Sequence, residues 1–199
     1  ASRLHLGRRQ PRQRQGGPLF LPNPNANGGN GVQAGPQAVA PAPGVAPDTR
    51  KVAIICSHGG LDQVYPALIL ANGARQAGIE AMIFFTFWGL DAITEKKVDS
   101  LGVNMAGNPS SPMPTIITGL PGMEKMAANM MGKKLKELDI PGPRDMIVML
   151  ADMGCDLYAC ELAMNFMDLE ETDLMKEVKS VLTVGDFYDM TQGSTILFT

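Results

Sequence analysis

Cysteine is scarce in this 199-residue chain, and its three copies, Cys56, Cys155 and Cys160, show no paired spacing. That excludes a disulfide scaffold, and also a zinc cage, which needs four ligands in C-x-x-C or H-x-x-x-H spacing. Free thiols point to a reducing compartment, so the expected location is cytoplasmic. Histidine occurs twice, as His5 and His58, too rarely for a histidine metal cluster. No metal and no cofactor are expected. Long apolar runs are absent as well: the longest, Ala81 to Leu90, is about half of the roughly 20 residues that a bilayer helix needs, which argues against a transmembrane segment. Charged residues make up 19% and the net charge is -3, a balance that does not suit a general nucleic-acid binder.

What is present divides near residue 50. Residues 1–50 carry Arg3, Arg8, Arg9, Arg12, Arg14 and Arg50 against Asp48 alone, a charge of +5 that leaves -8 for residues 51–199. Eight of the fifteen prolines and eight of the twenty-two glycines lie there, and the only apolar cluster, Leu19 to Leu21, is bounded by Pro18 and Pro22. Such a segment buries too little surface to offset the entropy of ordering it, so a disordered basic tail is expected over 1–50. Gly7-Arg8-Arg9 resembles a twin-arginine signal, but no apolar stretch of about 7–15 residues follows. The chain opens on Ala1, so the question of targeting stays open.

With 45% hydrophobic residues overall, the remainder is rich enough to bury a core. Lys51 to Ser57 is a β-branched apolar run and reads as a buried strand. Asp62 and Pro66 suit the start of a helix of about sixteen residues that buries Leu61, Val64, Leu68, Leu70 and Ala71 and stops at Gly78. Ile79 to Phe87 is a second strand, completing a βαβ unit, which demands a parallel sheet with helices on its faces. A polar helix over Leu90–Leu101 and a proline-punctuated loop over Gly107–Pro114 follow. Helices are expected from Pro121 to Leu138 and from Arg144 to Met153, a strand over Cys155–Cys160, a helix over Glu170–Lys179, and strands over Val181–Val184 and Thr195–Phe198. Five strands interleaved with helices make a three-layer α/β/α sandwich over 51–199.

Ligands of open parallel sheets collect beyond the carboxyl ends of the strands, where helix N-termini also point. Cys56 and Cys160 end strands; Cys155 begins one and is expected away from that edge. A thiol facing a helix N-terminus is biased toward thiolate, the nucleophile of sulfur-transfer chemistry. The turn Ser57-His58-Gly59-Gly60 supplies backbone donors for an anion or substrate, with His58 as a base, although it lacks the G-x-G-x-x-G and Walker patterns. Ser57 and His58 are loop neighbours and do not make a triad. Acidic pairs such as Glu170-Glu171 and Asp186 with Asp189 read as helix-start or solvated charges. Nine of the fourteen methionines fall between Met105 and Met153, mostly at helical spacing. If Met123 and Met130 face inward while Met126 and Met131 face outward, that helix is apolar nearly all round, so a homo-oligomer is expected.

Several blocks of residues resemble the DsrE/DsrF-like family, in its peroxiredoxin-like branch. They are Lys51 to Ile55, Leu61-Asp62, Tyr65-Pro66 with Leu68, Phe84 to Phe87 with Gly89-Leu90, Gly107-Asn108-Pro109, Pro112-Met113-Pro114, Leu120 to Met123, Met130-Met131, and Ala159-Cys160 near Met164. The resemblance implies a small three-layer α/β protein, commonly oligomeric, engaged in intracellular sulfur relay. It also implies a cysteine that carries sulfur as a persulfide and exchanges it with a TusA-like carrier or a rhodanese-like protein. Cys160 matches the cysteine this branch keeps. Cys56 stands where the branch has a small residue, and His58 where lysine is common, so neither inherits a role.

The leading expectation is thus a persulfide carrier or sulfurtransferase with Cys160 as nucleophile and Cys56 as a second candidate thiol. A non-catalytic oligomeric scaffold is the rival reading, and a thiol redox sensor pairing Cys160 with Cys56 or Cys155 is the third.

Overall fold

The computed structural model describes residues 49–103 and 122–199, so the expectations for 1–48 and for the Gly107–Pro114 loop lie outside the described residues. Five strands, β1 (Lys51–Cys56), β2 (Glu80–Phe85), β3 (Asp156–Cys160), β4 (Ser180–Leu182) and β5 (Thr195–Phe198), form one sheet in the order β4-β3-β2-β1-β5. Every neighbouring pair is parallel. The described helices are α1 (Leu61–Gln76), α2 (Met123–Glu137), α3 (Pro143–Asp152), α4 (Glu161–Phe166) and α5 (Val184–Met190). The fold is the three-layer α/β/α sandwich with a parallel five-stranded sheet that the sequence predicts.

Residues in register across parallel strands share a face of the sheet. Ile54, Ile83 and Leu157 line one face, and Ile55, Phe84 and Tyr158 the other. Right-handed crossovers from β1 to β2 to β3 put α1 and α3 on the first face, where α1 packs on β1, β2 and α3. The return from β4 to β5 runs the opposite way across the sheet, so α5 covers the second face. There Phe187 stacks on Phe84 with ring centroids 4.7 Å apart.

α1 starts with Gly60 as its N-cap, not with Asp62 as a cap, and Pro66 sits inside the helix, beyond the first turn. Its buried stripe includes Tyr65, Ala67 and Asn72, whereas Leu70, expected inside, is exposed. Gly78, at φ 76°, ends this segment as expected. The Tyr65 hydroxyl donates to the Pro141 carbonyl at 2.7 Å and ties α1 to the start of α3. Tyr65→Phe leaves that carbonyl without this donor; a loss of about 1 kcal/mol in urea unfolding is expected, and unchanged stability would show that the bond carries no weight.

Two expected helices are corrected. Leu90–Leu101 is not one helix but two 3-10 turns, Phe87–Ile93 and Val98–Ser100, and in place of Glu170–Lys179 there is a single 3-10 turn, Glu171–Asp173. The reason is tertiary. These segments spend their backbone groups on each other and on the sheet: Glu95 N donates to Asp173 O at 2.8 Å, Met175 N to Ile93 O at 2.8 Å and Lys179 N to Leu157 O at 2.8 Å. On α2, Met126 is exposed as expected, but Met130 is exposed too and Met131 is half-buried, so the anticipated division of the methionines does not hold.

Candidate functional site

The carboxyl edge of the sheet is shaped by two glycines that admit no side chain. A Cβ on Gly89 would collide with the Cys56 carbonyl, and one on Gly59 with the Trp88 carbonyl. The β1–α1 loop and the turn after β2 therefore lie backbone against backbone, joined by Thr86 N donating to Cys56 O at 3.0 Å. Within that turn Phe87 adopts φ 46°, a left-handed conformation that is uncommon for a bulky residue. The chain leaves the sheet there with Phe87 and Trp88 exposed.

Cys160 is the last residue of β3 and the N-cap of α4, with φ -81° and ψ 119°. It pairs in register with Leu182 of β4 and is 4% exposed. Leu162 and Phe166, one helical turn apart on α4, stand exposed beside it, and the Phe166 ring meets Phe87 edge-on at 6.1 Å. On the other side of α4 a 310 Å³ cleft opens toward β4, lined by Glu161, Met164, Asn165, Leu169, Glu171, Val181 and Thr183.

Cys56 ends β1, two strands away. It aligns with Phe85, which aligns with Ala159, so Cys56 and Cys160 point to opposite faces of the sheet. Their Cα atoms are about 10 Å apart, two strand spacings, beyond the roughly 7 Å that a disulfide tolerates. Cys155 lies at the opposite end of β3, roughly 16 Å from Cys160 along the extended chain. Burial is the largest effect on both remaining thiols. It pushes Cys56 up to about 11, against smaller lowering by hydrogen bonds to Thr199 and the His58 backbone. It pushes Cys155 up to about 12, with Arg75 lowering and Asp156 raising. At neutral pH both are neutral thiols.

Those two shifts set a stability window. Unfolded thiols release their protons near pH 8.5, whereas the folded chain holds them to about 11 and 12. The folded state binds more protons in between, so this contribution is complete below pH 8.5 and is lost as pH rises toward 11–12, by at most about 1.4 kcal/mol per pH unit for each thiol. The thermal midpoint should fall between pH 8 and 10.5, and the fall should shrink in Cys56→Ala. An equal fall in that variant would place the effect elsewhere.

In the turn Ser57-His58-Gly59-Gly60, the donors of Ser57 are committed to internal bonds. Ser57 N and Oγ both donate to Thr199 O at 3.0 Å, Ser57 Oγ lies 2.9 Å from His58 Nδ1, and Leu61 N donates to Gly102 O at 2.7 Å. Asp62 adds a carboxylate whose buried Oδ1 has no hydrogen-bond partner, close to Gly60. Negative charge at that point opposes an anion. His58 is exposed on the loop, and among the described residues no hydrogen bond or ring contact joins it to Cys160.

The family model described as DsrE/DsrF/DrsH-like matches residues 48–198. The chain belongs to the DsrE/DsrF/DrsH-like family. Among curated relatives of this family member, the sulfur carrier protein DsrE2 of Allochromatium vinosum is 31% identical over 140 residues, 66% of this chain and 87% of that protein. The uncharacterized protein YrkE of Bacillus subtilis is 28% identical over 159 residues, 75% of this chain and 97% of that one. Among solved structures, the ychN protein from E. coli superposes with a TM-score of 0.48 at 12% identity, over 76% of this chain and 100% of that one.

The sequence reading of this DsrE-like chain placed Cys160 at a strand end but gave no bounds for α4, and it missed the exposed group Phe87, Trp88, Leu162 and Phe166. The i, i+4 spacing of Leu162 and Phe166 was the available signal. Among the described residues no helix is long and apolar enough to cross a membrane.

Proposed function

We propose that this family member acts in sulfur relay as a persulfide carrier, with Cys160 as the sulfur-holding nucleophile. One observation carries the reading: of the three thiols, Cys160 is the one at the first turn of a helix at the carboxyl edge of the sheet, next to an open surface. Cys56 and Cys155 are held neutral by burial. The relative named sulfur carrier protein supports the same chemistry.

In loading, the Cys160 thiolate attacks the terminal sulfur of a persulfide R–S–SH. The new S–S bond forms as the donor's S–S bond breaks, and R–S⁻ leaves with the electron pair. Delivery reverses the roles: a partner thiolate attacks the outer sulfur and Cys160 departs as thiolate. Both steps are redox-neutral and need no cofactor. A TusA-like carrier or a rhodanese-like protein fits as partner, in the cytoplasm, where thiols stay reduced. Reduced protein treated with glutathione persulfide should gain about 32 Da, one sulfur, on the peptide that holds Cys160; no gain there overturns the proposal.

The 4% exposure of Cys160 favours a second reading, a non-catalytic oligomeric scaffold. Iodoacetamide separates the two: rapid native-state alkylation of Cys160 supports the carrier, and labelling only on unfolding supports the scaffold. The third reading, a redox sensor, needs Cys160 to meet a thiol that lies beyond disulfide reach.

A further inference from the structure

α2 stands off the body of the fold. None of its described side chains is buried, and it packs closely on no other described element. Between it and the body opens a cleft of about 720 Å³, within the size range of small-molecule sites. The floor is apolar: Leu61 and Tyr65 of α1, and Val98 and Leu101 at the second 3-10 turn, are buried side chains that line it. The α2 wall is Ala128, Gly132 and Leu135, which share one face of the helix by their spacing and are all half-buried. Among the described residues nothing lies within 4 Å of a Cβ added at Gly132. The uncompensated charge of the cleft is positive. Lys133 and Lys136, one turn apart, both line it and form no ion pair among the described residues, whereas Lys134 pairs with Glu137 at 3.0 Å. The lining carboxylate Asp99 is already answered, since Arg144 Nε donates to its Oδ2 at 2.8 Å. Asp62 follows Leu61 and Asp145 lies near Tyr65, but neither lines the cleft.

We infer that this cleft binds a small amphiphilic anion, an apolar chain ending in a carboxylate or phosphate, with the chain on the floor and the head at Lys133 and Lys136. Both halves of the ligand are needed. A small polar anion would meet the lysines and leave the floor wet, and a cation would be repelled by the same lysines. The chain removes apolar surface of the floor and of the α2 wall from water. It also supplies a helix of 15 residues with the tertiary packing from which helices of this length draw most of their stability. The inference does not rest on the carrier role proposed for Cys160.

Dodecanoate, titrated into the full-length protein by isothermal titration calorimetry below its micelle concentration, should bind at one site per chain. Acetate carries the same head without the chain, and dodecyltrimethylammonium the same chain with a cationic head; each should bind at least about tenfold more weakly. Gly132→Phe sets a ring into the cleft from the α2 wall and should abolish binding. Its melting temperature should stay at or above that of wild type, because a helix-interior glycine is replaced and the ring enters open space. Lys133→Glu combined with Lys136→Glu, both exposed positions, should weaken dodecanoate about tenfold or more. The inference is overturned if dodecanoate fails to bind at about 1 mM, if either variant binds it as tightly as wild type, or if the cationic amphiphile binds as well. A Gly132→Phe protein that melts below wild type overturns it too, since the chain itself would then fill the cleft.

Discussion

Cys160→Ser is expected to abolish sulfur loading from glutathione persulfide, while Cys56→Ser and Cys155→Ser load like wild type. A serine hydroxyl at neutral pH is not ionised and forms no stable bond to sulfane sulfur, so the expected effect is complete loss. The other two thiols cannot substitute. Cys56 faces the opposite side of the sheet and Cys155 lies at the far end of β3, and burial holds both as neutral thiols. A neutral thiol is a poor nucleophile, and burial pushes both of these thiols up. Peptide mass spectrometry of the three variants, each loaded under the same conditions, decides the matter. Retained loading in Cys160→Ser would remove Cys160 from the mechanism and direct attention to whichever peptide carries the sulfur.

Gly89→Ala should be the most destabilising single methyl addition on this edge. The new Cβ would run into the Cys56 carbonyl, a backbone group already accepting from Thr86 N at 3.0 Å. Neither side of the contact is a side chain that can rotate away, so relief requires separating β1 from the turn that carries Phe87 and Trp88. A loss of about 3 kcal/mol is expected, a drop of roughly 10 °C in the melting temperature for a chain of this size. Gly73→Ala is the control. That glycine is inside α1 with nothing within 4 Å of an added Cβ, so the helix should gain about 0.5–1 kcal/mol. If Gly89→Ala melts within a degree or two of wild type, the two loops are not held together as described.

Much of the fold was legible in the sequence because it is written in local patterns. β1 and β2 each open on one exposed charge, Lys51 or Glu80, and continue as an unbroken apolar run, as strands covered on both faces do, and Thr195–Phe198 has the bounds predicted for it. The sixteen residues of α1 carry a full helical period and a glycine stop. The six of α4 and seven of α5 are too few for periodicity to declare itself. The failed helices over Leu90–Leu101 and Glu170–Lys179 had the right local composition, but their backbones bond to each other, Glu95 to Asp173 and Met175 to Ile93, and to the sheet, Lys179 to Leu157.

The candidate site divides in the same way. The sequence by itself determined a parallel α/β sandwich and put two cysteines at strand ends, because strand and helix signals are short-range and the carboxyl edge follows from the βαβ rule. Only the tertiary structure decided that β2 lies between β1 and β3, and hence that Cys56 and Cys160 are about 10 Å apart on opposite faces. It alone also brought the Phe87 ring edge-on to Phe166. Strand order and register are set by which distant surfaces fit when the core closes, and no local run of residues encodes that choice.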